Sequence, residues 1–372
     1  MKDNQFGELC VIGMRGCEAF TEQVDFYLRD WRRHGDNDKT FLAKADCPRF
    51  GSGEAKGMLH ESMRGKDVSH ARRFGIDWAD MMPVDAIKRH GKLAFVECDI
   101  RTYLTMGIQE SRPGVYPEDI YPTARPGVPS VWSGPSTPEL SRAALRKCFA
   151  HQLTKGSGIW WFDMWGGWYN DPLLMQTLAE LKLIQQSALL RKSRDFDAEV
   201  AVVADERAKA NIGACHAADR AVSQNRINTG NACAPFDGEM AEDISDYAHK
   251  YKAFIFPALI PSLAGERAMA LCREQGIPYL TATPEHPFLS VQEQRDFLQS
   301  AGVHLYAEGD DVIYAGNGYV ALHSETGGEK QLLLPFERAV TPLFGAADVR
   351  VEGTHIRFVL EACDTALFQI GD

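Results

Sequence analysis

The sequence lacks the features that mark several large classes of protein. It has no long run of Lys or Arg and a formal net charge of -11, so it has no positive surface of the kind that phosphate backbones or anionic membranes attract. Its most apolar stretch, residues 253–264, contains two prolines and is shorter than the ~20 residues of a membrane-spanning helix. We therefore expect no nucleic acid and no membrane as partners.

Motifs for metals, disulfides and nucleotides are also missing. The nine cysteines include no CxxC pair, the histidines have no HxH or HExxH spacing, and the first residues have no apolar core of a secretory signal. No GxGxxG follows a predicted strand, which leaves a nucleotide-dependent oxidoreductase without support. We expect reduced thiols, no cofactor, no metal and a cytoplasmic location.

The first half of the chain alternates strands and helices, and acidic residues end the strands. Residues 92–99 follow Gly91 and residues 158–163 begin with Gly158, and each segment carries an apolar run that ends in Asp. Helices are predicted over residues 18–33, 83–90, 136–155 and 171–192. Acidic residues at the ends of successive parallel strands are typical of the catalytic face of a (β/α) barrel.

The pattern restarts after a charged linker. Strands at residues 198–205, 253–256 and 278–281 alternate with helices at 240–250 and 263–274, which predicts an open α/β domain. From residue 311 short alternating runs predict a small antiparallel β domain. The 372 residues are thus divided at 1–194, 197–310 and 311–372.

Tryptophan is concentrated in one segment. Trp160, Trp161, Trp165 and Trp168 are four of the seven in the chain and fall within nine residues, next to Asp163. Aromatic rings stack on the C–H faces of sugars while carboxylates take the hydroxyls, so the segment favours a carbohydrate cleft. The alternative is that these rings only pack the top of the barrel.

Glu97 is the second candidate. A carboxylate at the carboxyl end of a barrel strand can attack an anomeric carbon, and Arg101 could keep it ionised by direct pairing. The alternative is a structural ion-pair cluster of Glu97, Asp99 and Arg101. Alternation turns Cys98 to the opposite face, where we expect a buried thiol.

Three further residues follow apparent strand ends and are weaker candidates for the same mouth of the barrel. They are Glu18, Asp46 and Arg49.

Three segments carry a resemblance to a known family. Residues 83–102 (PVDAIKRHGKLAFVECDIRT), 158–168 (GIWWFDMWGGW) and 198–207 (AEVAVVADER) resemble the family-42-like β-galactosidases, retaining glycoside hydrolases of clan A with a β-galactosidase trimerisation domain. The resemblance implies that residues 91–99 and 159–163 are the seventh and eighth strands of a (β/α)8 TIM barrel. It also implies a flavodoxin-like, class I glutamine amidotransferase-like domain from residue 198 to about 310, and a homotrimer.

The same resemblance implies roles for the candidate residues. Glu97 stands where such enzymes have the nucleophile, at the end of strand seven. Arg101 would orient it, Asp163 would bind sugar hydroxyls, Glu18 would line the mouth, and four tryptophans would form the aromatic wall, namely Trp160, Trp161, Trp165 and Trp168.

The general acid/base of the family follows an Asn at the end of strand four, and this sequence has no Asn-Glu pair. We therefore expect the chain to be the C-terminal part of the barrel enzyme, with the acid/base upstream. The sequence leaves two functions open: a glycosidase of terminal β-glycosides, and a non-catalytic carbohydrate-binding or assembly protein derived from one.

Overall fold

Helices and strands alternate along most of the chain, which is a mixed α/β protein as the sequence predicts. The computed structural model describes residues 11, 17–31, 40–42, 45–46, 58–59, 74–78, 80, 83–105, 134–163, 166–191, 198–208 and 216–371. The chain divides into two compact units, residues 1–67 with 212–216, and residues 68–211 with 217–372. The predicted domain boundaries near residues 195 and 310 stay predictions.

The first unit contains helix α1 (Glu18–Trp31), within the predicted range, and an antiparallel pair of short strands, β1 (Ala45–Asp46) and β2 (Met58–Leu59). Asp25 on α1 is buried. Its carboxylate accepts hydrogen bonds from the Phe41 amide at 2.6 Å and the Thr40 hydroxyl at 3.0 Å. A buried carboxylate needs such donors, so Asp25 fixes the chain that follows the helix.

The second unit begins with two parallel strands between helices. In chain order these elements are α2 (Val84–Arg89), β3 (Phe95–Cys98), α3 (Pro138–Lys155), β4 (Gly158–Trp161) and α4 (Pro172–Leu190). The pair β3–β4 has Phe95 opposite Gly158 and Glu97 opposite Trp160. All five elements fall where the sequence predicts them.

A four-stranded parallel sheet follows, with the strand order β6-β5-β7-β8. Its elements are β5 (Val200–Ala204), α5 (His216–Gly230), β6 (Phe236–Met240), α6 (Ile244–Tyr247), β7 (Ala253–Phe256), α7 (Leu263–Gln275), β8 (Tyr279–Thr281) and α8 (Val291–Ser300). Val200 and Val202 pack into one core, whereas Ala201 and Val203 pack into another. The sheet is therefore buried on both faces, as parallel sheets are.

The chain ends in two antiparallel sheets, one with the order β12-β15-β10-β9 and one with the order β11-β14-β13. The strands are β9 (Val312–Gly316), β10 (Tyr319–His323), β11 (Gly328–Leu333), β12 (Val340–Phe344), β13 (Ala346–Glu352), β14 (His355–Leu360) and β15 (Thr365–Ile370). Phe358 and Phe368, from different sheets, meet edge to face at 5.1 Å. The apolar residues between the sheets form one core, so this part is a β-sandwich.

Helix α3 is buried on most of its surface, although it carries several polar side chains. Thr137 caps its first turn by accepting from the Leu140 amide at 3.2 Å, and Gly156 ends it in the left-handed conformation at φ +62°. Lys147 is 1% exposed, and burial lowers the pKa of its ammonium group to about 7. The Lys147 side chain therefore binds a proton less readily in the folded protein than in the unfolded chain.

This difference predicts a pH-dependent stability. Between about pH 7 and the ordinary lysine pKa near 10.4, the unfolded chain binds a proton that folded Lys147 does not, so the free energy of unfolding rises with pH. In urea unfolding at pH 7, 8 and 9, the free energy of unfolding of wild type should rise relative to that of Lys147→Met by up to ~1.4 kcal/mol per pH unit. The exposed control Lys182→Met should show no such trend, and parallel curves for wild type and Lys147→Met would contradict the prediction.

Candidate functional site

Glu97 lies on the exposed face of β3. The side chains of Phe95 and Trp160 are 55% and 48% exposed, and Glu97, paired with Trp160 across the strands, is exposed as well. Cys98 points the other way and is fully buried, which confirms the predicted alternation. Among the described residues Glu97 has no ion pair or hydrogen bond, so its carboxylate faces outward beside an aromatic ring.

Arg101 differs from its prediction. Its guanidinium pairs with Asp99, not with Glu97, and lies 4.4 Å from the centre of the Trp168 ring. The spacing of four residues suggested a contact with Glu97, but this segment is not helical, so residues four apart do not share a face. Arg101 is only 5% exposed and acts as a buried support beneath the strand ends.

The tryptophans divide between surface and core. Trp160 is exposed and meets Phe162 edge to face at 5.5 Å, whereas Trp161 is half-buried against the core. Trp168 is fully buried and meets Phe162 at 5.9 Å, so its predicted place in a sugar-facing wall is wrong. Trp165 lies outside the described residues.

Asp163 shapes the loop after β4. Its Oδ2 accepts a hydrogen bond from the Trp168 amide at 3.2 Å, across a turn in which Gly166 and Gly167 have φ values of +77° and +89°. Only glycine takes these angles without strain. The carboxylate closes the turn that places Trp168, and its predicted contact with sugar hydroxyls stays a prediction.

The roles of the remaining candidates stay predictions. Glu18 is exposed in the first turn of α1, in the first unit, and Asp46 lies in β1. Arg49 is outside the described residues. Within the described residues, no group of three His, Cys, Asp or Glu could hold a metal, and no helix is long and apolar enough to cross a bilayer.

One hydrogen-bonded pair in the segments after these strands was not predicted. The Tyr103 hydroxyl donates to Asp171 at 2.8 Å, while the same carboxylate caps α4 by accepting from the Leu173 amide at 2.8 Å. The hydrogen bond to Asp171 raises the pKa of Tyr103 and lowers that of Asp171. The Asp-Pro start of α4 was visible in the sequence, but its tyrosine partner lies 68 residues away.

Similar proteins were found among solved structures, but not among family models or curated proteins. No family model matches the chain, and no curated protein matches it. Solved structures that are similar include Gan42B, a GH42 β-galactosidase, with 13% identity over 63% of this chain and 51% of that one, at a TM-score of 0.42. A β-galactosidase from the psychrophilic Marinomonas ef1 has 10% identity over 62% of this chain and 49% of its own, at a TM-score of 0.38.

The chain therefore spans about half the length of either β-galactosidase.

The support role of Arg101 is testable. Arg101→Lys keeps the charge but removes the planar group that lies over Trp168, so we expect a loss of about 1–3 kcal/mol in the free energy of unfolding. The control Arg207→Lys, at an exposed pair with Glu242, should change it by less than about 0.5 kcal/mol. Both variants are measured by urea unfolding. Equal losses in the free energy of unfolding would show that the contact of Arg101 with Trp168 adds no stability beyond that of an exposed ion pair.

Proposed function

We propose that this chain belongs to a glycoside hydrolase that acts on terminal β-glycosides, β-galactosidase-like in substrate, with Glu97 as the nucleophile of a retaining mechanism. The observation that carries the proposal is the exposed carboxylate of Glu97 at the end of a parallel strand, on the same face as the exposed ring of Trp160. In this proposal the carboxylate attacks the anomeric carbon, while the aromatic ring stacks on the C–H face of the sugar.

The neighbours of Glu97 take supporting roles in this proposal. Trp160 is the stacking ring, whereas the pair of Arg101 with Asp99 and the turn closed by Asp163 hold the strand ends in place. Asp99 pairs with Arg101 and Asp163 accepts from the Trp168 amide, so both are given supporting roles in this proposal. The general acid, which retaining enzymes hold about 5–5.5 Å from the nucleophile, is assigned to a carboxyl group outside the described residues.

The finer architecture belongs to the same proposal. We assign β3, β4 and their helices to the C-terminal part of a (β/α)8 barrel, and the sheet β6-β5-β7-β8 to a flavodoxin-like trimerisation domain, whose strand order 2-1-3-4 it shares. A homotrimer and a cytoplasmic location stay predictions. Sedimentation velocity at micromolar concentration should give three times the chain mass of 41.4 kDa, and a monomer would contradict the trimer.

The nucleophile is tested by trapping it. A 2-deoxy-2-fluoro glycoside with a good leaving group reacts without a general acid, and the fluorine slows the breakdown of the glycosyl-enzyme. Incubation with a panel of such glycosides should raise the intact mass by one fluorosugar, and peptide mapping should place it on Glu97. The sugar that labels fastest gives the specificity.

Two variants make the trapping decisive. Glu97→Gln should lose the label completely, while Glu139→Gln, at an exposed position in the first turn of α3, should keep it. Label on another residue, or no label from any sugar in a protein shown to be folded, would remove Glu97 from the role.

A further inference from the structure

A cavity of about 150 Å³ lies at the amino ends of β5 and β6, where they meet the β-sandwich. Glu199 precedes β5 and Pro235 precedes β6, while His304, Tyr306 and Phe336 come from the connections around the sandwich. A cavity of this volume takes a bare six-membered ring, and the substituents of a larger ring would extend out of its open side. None of these residues belongs to the site around Glu97, which lies at the carboxyl ends of a different pair of strands.

The walls of the cavity are apolar and partly aromatic. The Phe336 ring is 36% exposed, and Pro235 and Pro335 present flat aliphatic rings beside it. The Arg338 guanidinium lies 4.5 Å from the centre of the Phe336 ring, on which it packs. Flat rings of this kind suit a ligand that has an apolar face.

The polar groups of the cavity are mostly hydrogen-bond acceptors. Glu199 accepts from the His304 amide at 2.8 Å, and its carboxylate has further lone pairs to offer. The Nε2 atom of His304 lies 2.9 Å from the Leu333 carbonyl and must donate, which leaves Nδ1 as the second polar atom of the ring. Tyr306 also lines the cavity, is 6% exposed, and its hydroxyl forms no hydrogen bond with the described residues.

The charges around the cavity indicate the net charge of the ligand that it can bind. The Glu199 carboxylate pairs with the Lys252 ammonium at 2.6 Å, so the polar side of the cavity is close to neutral. Neither a free cation nor a free anion gains much in such a place, because each meets a charge that is already compensated. A neutral ring with several hydroxyl donors matches the acceptors, and its C–H face matches the flat walls.

We propose that this cavity binds a neutral monosaccharide-sized polyol ring, with the C–H face on Phe336 and the hydroxyls on Glu199, His304 and Tyr306. It is a second carbohydrate site, separate from the one around Glu97. The affinity expected for a ligand of this size in a half-open cavity is on the order of millimolar.

The test is a titration of the full chain followed at the methyl groups that line the cavity. Ala198, Val303 and Ala315 report from three sides of it. In protein labelled with ¹³C at Ala and Val methyls, methyl β-galactopyranoside and methyl β-glucopyranoside should shift these signals in a saturable way. Signals far from the cavity should keep their positions along the same titration.

Variants separate this site from others. Phe336→Ala should weaken the binding at least about fivefold by removing the stacking wall. The matched control Phe288→Ala, whose ring is 45% exposed and does not line the cavity, should leave it unchanged, as should Glu97→Gln.

Three results would overturn the proposal. They are the absence of saturable shifts up to 50-fold above the expected millimolar range, shifts that Phe336→Ala leaves intact, and shifts by ethanolamine with none by the glycosides. The methyl signals report only on the cavity. A negative titration would therefore not affect the result of labelling Glu97, and a failure to label Glu97 would not affect the titration.

Discussion

The second unit depends on a buried helix whose polar side chains must all find partners inside the protein. On α3, His151 and Gln152 reach Asp80 at 2.9 and 2.7 Å, and Lys155 reaches Asp85 and Asp237 at 2.9 and 3.2 Å. A buried polar group without a partner costs free energy, so these contacts tie the chain at Asp80, Asp85 and Asp237 to the helix. The strands, the parallel sheet and the preceding chain are therefore arranged around α3 by hydrogen bonding as much as by apolar packing.

The same helix sets the position of the candidate site. Cys98 packs with Cys148 and Phe149 of α3 in one core, which fixes the inner face of β3. Because successive side chains of a strand alternate, fixing Cys98 inward turns Glu97 outward. The exposure of Glu97 is thus a consequence of core packing, and Arg101 on Trp168 secures the chain that follows.

Much of this arrangement follows from sequence pattern. The glycine turns, apolar runs and acidic ends predicted β3 and β4, and alternation predicted the opposite directions of Glu97 and Cys98. Composition could not tell which tryptophans face the core, because a ring that stacks on a sugar and a ring that packs a core have the same chemistry. The pairing of β4 with β3 places Trp160 outward, whereas the turn closed by Asp163 places Trp168 in the core.

Of the other features that were not predicted, one has a signal in the sequence that could have been used and the rest do not. Helix α8 was not predicted, although Ser290 and Glu293 form a capping box at its start. Helix α5 has little apolar periodicity, because its inner residues are polar groups such as Asn225 and Thr229 that bond to neighbouring segments. A long-range partner such as Tyr103, 68 residues from Asp171, depends on the fold and leaves no trace in spacing.

The outward face of β3 and β4 has a consequence for how the protein behaves in solution. Leu93, Phe95 and Trp160 are 83%, 55% and 48% exposed there, a set of large apolar side chains that favours self-association. Glu97 places a negative charge in the middle of this set, as gatekeeper charges do beside sticky strands. A carboxylate at this position therefore disfavours the contact of two such faces, a role separate from any chemistry at Glu97.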